Sequence, residues 1–357
     1  MTGASPWSAR PDLGPWCAQL IERIDRWQPD PSLAVDRDAI VEETALAAAA
    51  TEPWLVHPCL NAITRDGADA RTERDVRFVT WVAAHAMSPL GSLTLDRPSW
   101  RWSPHGGPVR VLPGRHDLAQ FTTGALPAGG SRTGFAIDLH CLSTGFPLAR
   151  SWPIEDDSRP PSLGAMAMRE IAQALNALAQ RLPDCAAWAS AVTSVIVPLR
   201  HDGAERSSGS QPDVPGLIHV AGLHGPVAVL EALVHESAHH HFTMLEAAEP
   251  SADPDHHELY PSPLRSDPRP LGRVLLAVHA LWHMVAFYDE GVASGLLDPE
   301  WRDRRDRLAR ALGAGLGTLE DAWPHLTAAG REMVEPWLED ARTARPEASR
   351  SCDQVSY

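Results

Sequence analysis

Residues 233 to 242 read LVHESAHHHF, and the spacing H-E-x-x-H at His235, Glu236 and His239 suits very few backbones. On an α-helix, positions i and i+4 share a face one turn apart, so the two imidazoles can hold one cation together. On a strand the same residues would be spread about 13 Å along the chain. The flanks agree with a helix: Val227, Val229, Leu230, Leu233 and Val234 supply apolar faces and nothing breaks the run. Gly225–Pro226 precedes it, with proline suited to the first helical position. Glu236 projects at a neighbouring angle, from which a carboxylate can contact a metal-bound water.

Around this segment the sequence alternates between two characters. Helical periodicity marks 37 to 50 and 73 to 87, whereas 88 to 162 carries short alternating runs broken by Gly and Pro, which predict strands and turns. PIEDDSRPPS (153 to 162) is the clearest linker. Beyond it, 163 to 182 predicts a long amphipathic helix, and VTSVIVPLR and GLIHVAG predict buried strands flanking a polar, Ser-rich loop at 201 to 213. A Pro-rich loop (260 to 270) leads to an apolar helix at 271 to 291, and two more helices are expected near 300 to 314 and 318 to 340. The expected fold is α+β and mostly helical, built on a zincin-like metal-binding helix rather than a cupin barrel. Three regions are expected: 1–160, a mixed helical and β region serving as lid or peptide-binding part; 161–340, the helical metal-binding catalytic region; and 341–357, a polar tail.

Composition narrows the chemistry. The net charge of −15 argues against nucleic acid and anionic membrane surfaces, which require a positive footprint. No stretch reads as a membrane span, and no apolar segment follows a basic start, so no signal peptide is expected. The five cysteines are scattered without a CxxC pair, which disfavours a disulfide framework or cysteine metal site and suits a cytoplasmic location. All 31 basic residues are arginine. Without lysine there is no Schiff base and no P-loop lysine, so an anionic ligand must be held by arginine, backbone N–H groups or a metal.

The third ligand decides the class of metal site. A metzincin would carry glycine and histidine where this chain has Phe242 and Leu245. Glu258 lies at a spacing some glutamate-ligand zinc peptidases use, but the prolines flanking it forbid a helix there. His279 and His283, again i and i+4, lie on the apolar helix; a polar imidazole there needs a partner, and a metal is a simple one. His279 is favoured, since His283 lies beside Trp282 and Met284 and suits packing. Between the two helices, Arg265, Arg269 and Arg273 suit bidentate capture of a carboxylate.

The ordered stretches PGLIHV, ALVHESAHH, YPSPLRSDPRP and VLLAVHA, within about 215 to 291, resemble the HEXXH-motif peptide-modification family of ribosomal natural-product gene clusters. The resemblance is close over roughly a fifth of the chain. It implies an iron(II)- and 2-oxoglutarate-dependent oxygenase that uses O₂ to β-hydroxylate a residue of a ribosomally made precursor peptide. It further implies His235, His239 and His279 as iron ligands, with Arg269 or Arg265 gripping 2-oxoglutarate. The usual oxygenase signature H-x-D is absent; H-x-E occurs only as His256–Glu258. The alternative is a zinc metallopeptidase with Glu236 as general base. The oligomeric state is not readable from the sequence.

Overall fold

The computed structural model describes residues 6–7, 14–28, 35–49, 90–95, 99–103, 107–118, 136–137, 173–199, 207–210, 216–221 and 225–344, with single positions 79, 82 and 171. The chain divides into two compact units, one of residues 10–247 and one of residues 1–9 with 248–357. The strand-rich region and the H-E-x-x-H helix therefore share a unit. Helices make up most of the described residues, and among these no sheet closes into a barrel.

The unit of residues 10–247 opens with α1 (Gly14–Arg26) and α2 (Arg37–Ala49). Helix α1 buries Trp16, Cys17, Leu20 and Ile24, an i, i+1, i+4, i+8 stripe in a stretch whose Trp and Pro content hides it from a sequence reading. Two antiparallel pairs follow, β1 (Ser92–Leu95) with β4 (Gly114–Asp117) and β2 (Ser99–Ser103) with β3 (Gly107–Val111). Strands are thus present in the described part of 88 to 162; of the helix predicted at 73 to 87 only residues 79 and 82 are described, both helical. The linker at 153 to 162 lies outside the described residues.

The main sheet has the order β5-β6-β8-β7, from β5 (Ala136–Ile137), β6 (Thr193–Leu199), β7 (Ser207–Ser210) and β8 (Gly216–Ala221). Strands β5, β6 and β8 run parallel, and β7 lies antiparallel on the edge. The Ser-rich loop expected at 201 to 213 therefore contains a strand, a correction with consequences for the site. Residues 173–181 are helical, and α3 (Pro183–Val192) buries Cys185, Trp188 and Val192 before entering β6 directly. Helix α4 (Pro226–Ala248) carries the motif and begins at the predicted proline, after Gly225 at φ +91°.

The other unit is built on α5 (Leu271–Ala293), α6 (Arg302–Asp321) and α7 (Ala328–Ala344). The Pro-rich loop is closed by two short strands, β9 (Leu259–Tyr260) and β10 (Arg269–Pro270), which pair antiparallel. Helix α6 runs past the predicted end at 314, and one of its glycines, Gly315, serves packing. A Cβ on Gly315 would come within 2.6 Å of Val278 Cγ2 and 3.2 Å of Pro263 Cγ. A 3₁₀ turn at Trp323–His325 then delays α7 to residue 328, ten residues later than the sequence reading. Arg305 clamps α6 to α5 through two hydrogen bonds to Asp289, at 2.8 and 2.9 Å. Trp7 joins this unit, donating to Glu290 at 2.7 Å.

Helix α5 corrects one expectation: its 23 residues include an 18-residue window of mean hydropathy 1.4, long and apolar enough to cross a membrane. Yet 72% of that window is buried within the protein, which is the signature of a core helix.

Candidate metal centre

Helix α4 presents three faces, each with its own task. Ser237 and His241 lie one turn apart and point to the preceding elements: Ser237 Oγ is 2.8 Å from Thr193 Oγ1 at the head of β6, and the His241 ring meets Trp188 edge-on at 5.8 Å. Glu236 and His240 form the second face. His240 Nε2 lies 3.2 Å from the Leu217 carbonyl of β8 and donates there. Burial pulls its pKa down to about 4, against upward contributions from Glu236 and from that hydrogen bond. His235 and His239 occupy the remaining face and stay partly exposed. Of three consecutive histidines, therefore, only His239 joins His235.

The pair is close. The two Nε2 atoms are 3.0 Å apart and the rings meet at 82°. Metal–nitrogen bonds of about 2.1 Å held at a right angle put two ligand atoms about 3.0 Å apart, whereas tetrahedral ligands stand about 3.4 Å apart. The separation thus fits neighbouring ligands of one ion, and the right-angled arrangement best.

Glu236 is buried, and both of its oxygens are engaged. Ser208 Oγ donates to Oε1 at 2.7 Å and Ser210 Oγ donates to Oε2 at 2.6 Å. Both hydroxyls come from edge strand β7, where residues two apart share a face. Between them Gly209 sits opposite His219 of β8, and a Cβ there would overlap the imidazole. Burial pushes the Glu236 pKa up, but His235, His239 and the two serines outweigh it and hold the carboxyl below its ordinary value. His219 is held below its ordinary value by burial, partly offset by Glu236. Glu236 Oε1 lies 3.9 Å from His235 Nε2.

The remaining sequence candidates belong to the other unit. His279 and His283 are both buried on α5 with ring centroids 4.4 Å apart. His283 Nδ1 donates to the His279 carbonyl at 2.9 Å, which leaves Nε2 with its lone pair, and burial lowers the pKa to about 4. Trp7 and Trp282 pack on His283, and Trp337 meets His279 at 5.7 Å. Arg269 sits in β10 with Nη2 2.7 Å from Asp267 Oδ2, while Arg265 and Arg273 are exposed. Glu258 lies outside any helix, as its flanking prolines dictate, and is 68% exposed.

The sequence reading found the histidine pair and Glu236 but missed Ser208 and Ser210. The signal was the S-x-S spacing of Ser208 and Ser210, which puts alternate hydroxyls on one face only once the segment is known to be a strand. No family model matches this chain, and no curated protein matches it.

Proposed function

We propose that this protein is an iron(II)/2-oxoglutarate-dependent oxygenase that β-hydroxylates a residue of a ribosomally made precursor peptide. The observation that carries this reading over hydrolysis is the state of Glu236. A general base must turn toward the metal-bound water and works best with a pKa near the working pH. Glu236 is buried, tethered at each oxygen to a serine of β7, and held below its ordinary pKa, which favours orientation over proton transfer. Such a carboxylate orients and balances charge beside the ligands.

His235 and His239 would hold the ion, and the third ligand favoured by the sequence is His279, with His283 its competitor on the same helix. Iron(II) bound with 2-oxoglutarate and O₂ supplies the oxidising chemistry; every other task falls to the chain. Glu236 fixes the turn of α4 that bears His235 and offsets the cation's charge. Arg269 or Arg265 would grip the distal carboxylate of 2-oxoglutarate, with Arg269 exchanging Asp267 for the incoming carboxylate. Edge strand β7 pairs only with β8 among the described residues and offers its outer main-chain groups to an extended peptide. The zincin-like character proposed for the frame rests on this combination of motif helix and antiparallel edge strand.

The second reading is a zinc metallopeptidase, favoured by the intact Glu236 beside His235. One assay separates the two. The enzyme is given its precursor peptide with iron, ascorbate and 2-oxoglutarate, and peptide mass and succinate are read. We expect the mass of one added oxygen atom per modification, with the backbone intact, and Glu236→Gln to retain measurable turnover. Fragments formed with zinc alone, and lost in Glu236→Gln, would overturn the oxygenase reading. Replacing Arg269 or Arg265 by Leu should weaken 2-oxoglutarate binding by on the order of 2 kcal/mol or more while iron stays bound. Unchanged dependence in both single variants and the double variant removes them from that role.

A further inference from the structure

We infer that His256, Glu258 and His325 form a second metal site, for a zinc-class divalent ion, independent of the H-E-x-x-H pair. All three belong to the unit containing residues 248–357, and one ring nitrogen of each histidine and a carboxylate oxygen lie within 4.8 Å of one another. The histidines come from segments far apart in sequence, yet the backbone locks them together. Ala252 pairs antiparallel with Leu326, Asp253 N donates to His325 O at 3.0 Å, and Thr327 N donates to Ser251 O at 3.1 Å. His325 ends the 3₁₀ turn Trp323–His325. His256 ends a turn in which its own N donates to Asp253 O at 3.1 Å and Asp255 N donates to Asp253 Oδ1 at 3.0 Å. Each histidine thus stands on a short, internally bonded frame.

The chemistry of the three donors is that of a cation ligand set. The imidazoles stack face to face, 3.7 Å between centroids and 14° between planes. Neutral imidazole is the ligand form, and Glu258 Oε2 at 3.9 Å from His256 Nε2 brings the negative charge. Tyr260 Oη, 2.8 Å from His256 Nε2, occupies that nitrogen as an outer partner and leaves Nδ1 as the ligand nitrogen of His256. Parallel rings aim their lone pairs side by side, so the two nitrogens converge on one ion when an imidazole turns about χ2, a torsion with broad minima. Two nitrogens and one carboxylate oxygen match zinc-class borderline ions and leave a position open to water. The ion would tie the turn at 253–258 to the segment at 323–327.

The test uses the full-length chain carrying His235→Ala and His239→Ala, so that the first site is removed and the result does not depend on the proposed function. The protein is stripped with chelator, dialysed against zinc, and its metal counted by mass spectrometry. We expect zinc to be retained, one ion fewer per chain after adding His325→Ala, and zinc held about tenfold more weakly or worse after adding Glu258→Gln. Glu258 is exposed, so its replacement leaves the fold intact and keeps the test decisive if His325→Ala unfolds the unit. A parent chain that binds no zinc, or a zinc count and affinity unmoved by either added substitution, overturns the site.

Discussion

Helices α4 and α5 are both 23 residues long, and both carry histidines one turn apart, yet they make different uses of that spacing. In α4 the pair His235 and His239 is partly exposed and has a buried, ionised carboxylate at the next position. In α5 the pair His279 and His283 is fully buried among Trp7, Trp282 and Trp337, with no carboxylate beside it on the helix. Spacing alone therefore says that two imidazoles share a face. What they do there is set by burial and by the groups that other elements bring, here two serines in one case and three indoles in the other.

The comparison breaks first at the ligands, where the largest effect is expected. His235→Ala and His239→Ala should each abolish metal loading and turnover while leaving the melting temperature nearly unchanged, because each removes a part-exposed ring. His279→Ala and His283→Ala remove buried rings, and each should lower stability by about 2 kcal/mol or more through the cavity left. The sequence reading further expects His279→Ala to lose metal and His283→Ala to retain it. Metal content and thermal melts of the four proteins check this, and full occupancy in the His235→Ala, His239→Ala double variant would remove α4 from metal binding.

A second test addresses the serines. Replacing both Ser208 and Ser210 by Ala strips a buried carboxylate of two charge-assisted hydrogen bonds, at a cost of about 3 kcal/mol or more. Adding Glu236→Gln to that double variant should recover part of the loss, since a neutral amide is cheaper to bury than an unpaired charge. Denaturant titration reads both. Equal stability of wild type and the serine variant would mean that the β7 hydroxyls do not hold Glu236 in solution.

How much of this was legible follows from the range of the interactions involved. The start of α4 at Pro226, the apolar span of α5 and the i, i+4 pairs are local patterns, and the sequence displays them. The serine clamp depends on β7 pairing with β8 in the register that sets Gly209 against His219, and no local propensity of a Ser–Gly run predicts a strand. The end of α6 was hidden for a related reason: Gly315 packs against Val278 and Pro263, partners distant in sequence. Gly315→Ala tests that account, and overlap with Val278 and Pro263 should cost about 1 to 3 kcal/mol. Gly313→Ala and Gly317→Ala, with nothing within 4 Å of the added methyl, should be neutral or mildly stabilising.

The smallest expected effect concerns pH, and it draws α4 and α5 together again. His240 in α4 and His283 in α5 are both buried, and each has its pKa lowered to about 4. An exposed histidine in the unfolded chain titrates near 6.5. Between these values the unfolded state binds more protons than the folded state, so stability rises with pH across that window. Above about 6.5 both states are neutral and the full stability is present; as pH falls toward 4 each buried ring removes part of it. His240→Gln keeps an N–H that can reach the Leu217 carbonyl but cannot titrate. Its stability should therefore fall less steeply than that of the wild type between pH 6.5 and about 4, with the two curves parallel above. Denaturant midpoints across the range measure the slopes, and identical slopes would show that His240 takes up its proton without opening α4.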